Sequence, residues 1–268
     1  MTLLKGVPRG AFLRFLGNMI CQFTWNGEAH QADLSQAIDL SLVLAGNGKA
    51  NPSAWYVNDP TMVPVRGEGF VGAVAEGGSV NFRDITFNPH GHGTHTECLG
   101  HITKDIHSVD ACFRNLPSLM PCAVMTLTPQ ELGDDHVLDA DLLDNVSSPL
   151  GEAVAIRTTP NGNDKRTRAW SNTNPPYFTV AFIDRLVQSG VKHLLVDLPS
   201  VDREVDGGLL EAHHAFWRVP DKPRHGCTIT EFIHVPDEVQ DGLYLLNLQV
   251  APMDNDAAIS RPVLHPLV

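Results

Sequence analysis

Short apolar runs, separated by Gly-, Pro- and Asn-rich connections, organise most of this chain. Residues 19–25 read as a strand, and the Asn26-Gly27 that follows is a strong turn signal, so a hairpin leads into residues 29–34. Residues 38–44 alternate as a further strand, and 45–66 form a long loop carrying Trp55 and Tyr56. The stretch 84–95 predicts a strand that runs into a loop. Residues 121–128 and 152–158 are short apolar strands, and 159–177 is a polar loop. Apolar positions over 180–189 have helical spacing, which stops at Gly190. A buried strand follows over 191–196, then a helix over 206–217 and strands over 227–232 and 242–251. Strands outnumber helices, and several alternate with them. The pattern predicts an α/β fold: a mixed β-sheet or barrel-like core with flanking helices.

No internal repeat, low-complexity tract or Ser/Gly linker divides the chain, and 268 residues fit one core. The expectation is a single domain over 1–268, with an N-terminal hairpin or arm over about 1–35. Within that arm, Ala11-Phe12-Leu13-Arg14-Phe15-Leu16 follows Lys5 and Arg9. Arg14 interrupts the apolar run and no small-residue cleavage site follows it. The segment reads as folded chain or a short arm, and the protein as cytoplasmic. No apolar run is long enough to span a bilayer. The formal charge is -12, from 19 Lys+Arg against 31 Asp+Glu. Such an acidic chain suits neither nucleic acid nor an anionic membrane, so the expected partner is a small-molecule substrate.

Composition changes the picture at one residue type. The chain has 13 His, which in an acidic protein points to metal or proton chemistry. The five cysteines are scattered without a CxxC pair, which argues against a disulfide framework or a zinc knuckle. The histidines concentrate in residues 90–101, where His90, His92, His95 and His101 surround Glu97. In an extended chain side chains two apart share a face, so His95 and Glu97 point the same way. His101 can reach the same centre after a turn. Imidazole plus carboxylate is a borderline N/O ligand set suited to Zn, Mn or Fe(II). Gly91, Gly93 and Gly100 let the backbone bend around such a centre.

One metal needs three or four protein ligands, so others must come from elsewhere. Glu211-Ala212-His213-His214 lies on the helix over 206–217, and Glu231 on the strand over 227–232. Either segment is a source of ligands or ordinary surface. Asp197-Leu198-Pro199-Ser200-Val201-Asp202 follows a buried strand, where sites collect in α/β sheets; a capped turn accounts for it equally well. Gly67-Glu68-Gly69-Phe70-Val71-Gly72 matches G-x-G-x-x-G. It has no strand–turn–helix context, which argues against a dinucleotide site. Cys98, beside His95 and His101, offers a Cys/His nucleophile as a rival chemistry.

Gly93-Thr94-His95-x-Glu97-x-x-x-His101 resembles the signature H-x-G-T-H-x-D-x-P-x-H of the cyclase/kynurenine formamidase superfamily. Ile38-Asp39-Leu40-Ser41 resembles its opening D-L-S strand, and Asp197–Asp202 its D-x-x-S-x-D segment. His213-His214-Ala215-Phe216-Trp217 resembles its H-H-x-L-L stretch, and Thr230-Glu231-Phe232 its late I-x-E-x-L strand. The resemblance covers roughly residues 36–265. It implies a fold of the swivelling β/β/α type, two divalent ions per subunit (Zn or Mn), and a homodimer or higher homo-oligomer. It implies that His95 binds the first ion, that Glu97, standing where the family has Asp, bridges both, and that His213 and Glu231 serve the second. His101 matches the family's acid/base histidine.

The motif's first His falls at Gly91, flanked by His90 and His92. A one-residue bulge would bring His90 to the metal; His92 is the alternative and a reduced single-metal site the third, with His214 a lesser candidate beside His213. Leu99 replaces the family's Pro. Aromatic candidates for the substrate wall are Trp55 and Trp217, with Phe87 and Phe216. The resemblance implies a metal-dependent amidohydrolase acting on a small-molecule C–N bond. N-formylkynurenine, giving kynurenine and formate in tryptophan catabolism, is the leading substrate. Opening of a cyclic amide or lactone, or a cyclase or dehydratase reaction, is the sibling reading. A metal-binding protein without catalysis is the rival from another class.

Overall fold

The computed structural model describes residues 19–146 and 149–268; the apolar segment over 11–16 lies outside them. Nine strands form one mixed sheet. In chain order they are β1 (Ile38–Asp39), β2 (His95–Cys98), β3 (Met120–Leu127), β4 (Ala153–Thr158), β5 (His193–Val196), β6 (Thr228–Glu231), β7 (Gly242–Asn247), β8 (Ala257–Ile259) and β9 (Val263–Pro266). Their order across the sheet is β8-β2-β6-β5-β4-β3-β7-β9-β1. The central β6, β5, β4 and β3 run parallel, and the strands outside them pair antiparallel. The expected α/β class with a mixed, curled sheet is what the chain adopts.

Parallel strands are covered on both faces and read as continuous apolar runs. Every residue of β4 and β5 is buried. On one face Val154, Ile156, Leu194 and Val196 pack beneath two helices, α2 (Val180–Gln188) and α3 (Glu211–Trp217). On the other, Ala153, Ala155 and Leu195 pack with Val235, Leu246 and Leu264. A shorter helix, α1 (Val109–Phe113), lies against β2. The Thr179 hydroxyl starts α2 by accepting from Phe182 N–H at 3.2 Å, and Phe182, Ile183 and Leu186 form its buried stripe. Gly190, with φ 91, follows its end as the sequence signal indicated.

Three elements differ from the sequence expectation. The strand over 38–44 pairs only at Ile38–Asp39. Asp39 then accepts from Ser41 N–H and Oγ, turning the chain off the sheet while Leu40 and Leu42 stay buried. The helix over 206–217 starts only at Glu211. Gly207 and Gly208 take positive φ, and the Asp206 carboxylate accepts from Gly208 and Leu210 N–H, closing a turn first. The polar loop over 159–177 contains a 3₁₀ turn, Asn163–Arg166, that buries Lys165. Its ammonium donates to Thr158 O and to Asp197 Oδ2 at 2.7 and 2.8 Å, anchoring the start of the 197–202 segment.

The hairpin signal at Asn26-Gly27 joins Ile20–Trp25 to Glu28–Asp33 in register. The G-x-G-x-x-G stretch is likewise a hairpin, Arg66–Gly67 against Phe70–Val71, followed only by a single 3₁₀ turn, Val74–Glu76, and not by an α-helix. Among the described residues no helix is long and apolar enough to cross a membrane.

Buried His193 supplies an acid-sensitive element of stability. Its Nδ1 lies 2.9 Å from Thr228 Oγ1, and burial pushes its pKa from 6.5 down to about 4. The unfolded chain therefore takes up a proton that the folded state refuses. Stability present above about pH 6.5 is lost as pH falls to about 4, on the order of 3 kcal/mol in full. His193→Gln should flatten the fall of the urea midpoint between those values; an unaltered slope would remove His193 as its source.

Candidate metal centre and cavity

β2 lies between β6 and β8, and this placement builds the site. His95 and Glu97 alternate onto one face of β2. The antiparallel register sets Glu231 of β6 opposite His95, and Ala257 of β8 opposite Glu97. Two groups of donors result, each with its ligand atoms within 4.8 Å of one another: His90, Glu97 and His101, and His95, Glu97 and Glu231. Glu97 belongs to both. Its Oε2 is 3.0 Å from His90 Nδ1 and 3.8 Å from His101 Nε2, and its Oε1 is 3.0 Å from His213 Nε2. His213 Nε2 also lies 3.9 Å from Glu231 Oε1.

The motif's displaced His has a structural explanation. Pro89–Gly91 forms a 3₁₀ turn whose cap, Asn88, accepts from Gly91 N–H. This turn, rather than a β-bulge, aims His90 at Glu97. Gly91 itself packs against the 54–57 segment: a Cβ there would stand 2.7 Å from Val57 Cγ2 and 3.2 Å from Ala54 O. His92 turns away. Its Nε2 donates to Asn58 O and its Nδ1 accepts from Asn88 N–H, both at 2.8 Å, so neither ring nitrogen is free for a metal. His214 also points elsewhere, donating from Nδ1 to Val219 O.

The ring orientations test whether this donor set fits a cation. Buried His95 donates from Nδ1 to Gly93 O at 3.0 Å, which leaves Nε2 as a lone pair. That Nε2 has no hydrogen-bond partner and lies 3.4 Å from Glu231 Oε2. A lone pair facing a carboxylate in a buried site is repulsive unless a cation lies between them. His213 is oriented similarly. Its Nδ1 bonds to Asp202, whose carboxylate also accepts from Ala212 and His213 N–H. Its Nε2 therefore faces Glu97. Imidazoles presented by carboxylate or carbonyl partners on the far ring nitrogen are the usual support for metal ligands. The residues present fit a divalent ion.

Protons and a cation compete for these donors. Burial alone would raise the Glu97 carboxyl, but the His101 charge and the hydrogen bonds of His213 and His90 hold it well below the usual carboxylate range. Burial opposes a charged His90, yet its bonds to Asp256 and Glu97 bring its pKa up to about 10. Asp256 is an addition to the residues expected from sequence, whereas Asp202 belongs to the 197–202 segment that the sequence offered as a site. Asp256 touches both His90 and His101. Only the turn composition Asp254-Asn255-Asp256 before a short apolar run hinted at it.

A cavity of about 350 Å³ opens over these groups, lined by Trp55, Asn88, His101, Ser200, Arg203 and Leu210 among others. Trp55 and Tyr56 both take left-handed backbone, φ 62 and 56. Ser171 Oγ accepts from Tyr56 N–H, and the Tyr56 hydroxyl donates to Glu204, locking this strained turn with Trp55 on the wall. Trp217 is a correction to the expected wall. It is fully buried, donates from Nε1 to Cys227 O, and packs behind His213 with ring centroids 5.4 Å apart. Its place is explained by the helix, since residues four apart share a face. Phe216 is equally buried, and Phe87 lies outside the cavity lining. Cys98 alternates to the opposite face of β2, where its thiol donates to His107 O. It is not placed to attack a substrate in this cavity.

Comparisons with known proteins agree with this architecture. The chain is 28% identical over 193 residues to a kynurenine formamidase of Bacillus cytotoxicus, covering 72% of this chain and 83% of the relative. A kynurenine formamidase of Bacillus cereus is 29% identical over 196 residues, with the same coverage. Among solved structures, isatin hydrolase A from Labrenzia aggregata superposes with a TM-score of 0.60 at 13% identity, over 86% of this chain and 93% of that one. The Cyclase family model matches residues 32–203. That match takes in more than half the chain, including His90, His95, Glu97, His101 and Asp202, and the chain belongs to the cyclase family.

Proposed function

We propose that this protein is a metal-dependent amide hydrolase that cleaves the C–N bond of a small aryl formamide, with N-formylkynurenine the leading substrate. The observation that carries the reading is the lone pair of His95 Nε2, beside shared Glu97, facing Glu231, which in turn lines a cavity with an aromatic wall. The relatives named kynurenine formamidase support the choice of substrate. His90, His95, Glu97, His213 and Glu231 would hold the metal, as two ions sharing Glu97; Zn, Mn and Fe(II) all accept this donor set. A divalent cation bound there acidifies water and polarises a carbonyl oxygen.

The chain's own groups do the rest. The three histidines among them, His95, His213 and His90, hold their geometry through Gly93 O, Asp202 and Asp256 respectively. His101, at the cavity edge, carries the proton that the departing nitrogen needs. Trp55 offers an aryl group a flat apolar face. The volume suits a small ligand, and a cavity beside the donors favours an enzyme over a protein that only stores metal.

The reading is tested by elemental analysis together with hydrolysis of aryl formamides and cyclic amides, with and without chelator. Chelator-sensitive formamide cleavage is expected. Cleavage of cyclic amides alone would move the protein to the sibling reaction, and activity indifferent to chelator would sink the metal mechanism. Trp55→Ala should raise KM for an aryl formamide about ten-fold with kcat little changed, since an aromatic contact contributes about 0.5–1.5 kcal/mol beyond its area. An unchanged KM would take Trp55 off the substrate wall.

A further inference from the structure

A single carboxylate oxygen serves two imidazoles. Asp256 Oδ2 lies 2.9 Å from His90 Nε2 and 3.3 Å from His101 Nδ1. A carboxylate oxygen accepts, so both ring nitrogens donate to it. That leaves His101 Nε2 directed toward Glu97 Oε2, at 3.8 Å, and toward the cavity that His101 lines. It also turns His90 Nδ1 to Glu97, at 3.0 Å. The two rings stack with centroids 4.3 Å apart and planes 29° apart, so neither turns without displacing the other. Asp256 is fixed from the sheet: its carbonyl accepts from Cys98 N–H at 3.0 Å, and Ala257 after it pairs with Glu97.

We propose that Asp256 is the positioning residue for His101, holding its Nδ1–H so that Nε2 is free to receive and return a proton, and tying that ring to the metal-ligand candidate His90. The proposal rests on the amide-hydrolase reading with His101 as proton carrier. In that reaction the water oxygen bonds to the carbonyl carbon and the C–N bond breaks. One water proton passes to His101 Nε2 and then to the departing nitrogen. Asp256 stays ionised and balances the imidazolium formed in between, as the carboxylate of a catalytic triad does. Because one oxygen holds both rings, an ion that engages His90 also steadies His101.

The experiment has two arms. The first is imidazole ¹⁵N NMR of metal-free protein, read at a pH where the His101 ring carries a single hydrogen, with His101 assigned by its absence in His101→Ala. Wild type is expected to carry the hydrogen on Nδ1, and Asp256→Asn to lose that preference. A wild-type His101 protonated on Nε2 overturns the proposal whatever the enzyme's substrate proves to be. The second arm measures kcat at saturating zinc on the formamide substrate. Asp256→Asn is expected to lower kcat about 10²-fold in the wild-type background, within the range of a general acid/base contribution, with KM unchanged. In the His101→Ala background it should lower kcat no further. An equal loss in both backgrounds shows that Asp256 acts through the metal ligands alone and overturns the proposal. Absence of formamide cleavage by wild type defeats the substrate reading and leaves the first arm to decide on Asp256.

Discussion

Glu97→Ala is expected to abolish activity and to strip the protein of bound metal in the same step. The two oxygens of Glu97 face different partners, His213 on one side and His90 with His101 on the other, and both donor groups contain it. Its loss leaves His95, His213, His90 and Glu231 without the carboxylate between them. Neither half then reaches the three protein ligands that a catalytic ion needs. Glu97→Gln preserves the volume and separates ligand loss from collapse of the strand; it should fold with wild-type cooperativity and still bind little metal. Elemental analysis after reconstitution with zinc is the direct measurement. Metal retained at the wild-type level in Glu97→Gln would show that the ions sit elsewhere.

His101→Ala should do the opposite: keep its metal and lose rate by about 10²–10⁴-fold. His101 is the most exposed of the imidazoles around Glu97, at 29%, against 19% for His90 and 3% for His213. Its contact with Glu97 is also longer than theirs. It thus stands at the edge of the ligand cage, with one nitrogen on Asp256 and the other toward the cavity. Metal content and kcat measured on the same preparation decide its role. Loss of metal in step with rate would make His101 a ligand, and full activity would remove it from the mechanism.

Much of the site was legible because it is local. His90, His95, Glu97 and His101 lie within twelve residues, and the two-residue alternation of a strand already pairs His95 with Glu97. The buried parallel strands and α2 announced themselves through unbroken apolar runs and a helical spacing that stops at Gly190. Where expectation failed, the deciding interaction was distant in sequence. Whether His90 or His92 faces the site depends on Asn58 and Asn88 capturing His92. Trp217 looked like a wall residue because it is a large aromatic side chain. Which side of its helix is buried depends on Cys227 and on β5 and β6, which the helix pattern does not encode. Asp256 carries no local signature beyond a turn composition. It enters the site through the pairing of β8 with β2, a contact between chain segments more than 150 residues apart.

That pairing has a consequence for how the protein matures. The groups that surround Glu97 come from residue 90 through to residue 256, and β2, which carries Glu97, is held between two strands that are both synthesised long after it. A chain emerging from the ribosome displays the histidine-rich segment early, yet at that stage it offers only a loose, flexible chelate. The complete cage closes when Glu231 and Asp256 have been translated and docked. The cluster around Glu97 is therefore assembled from segments far apart in the chain, and a chain interrupted before Asp256 lacks part of it, however intact its parallel core.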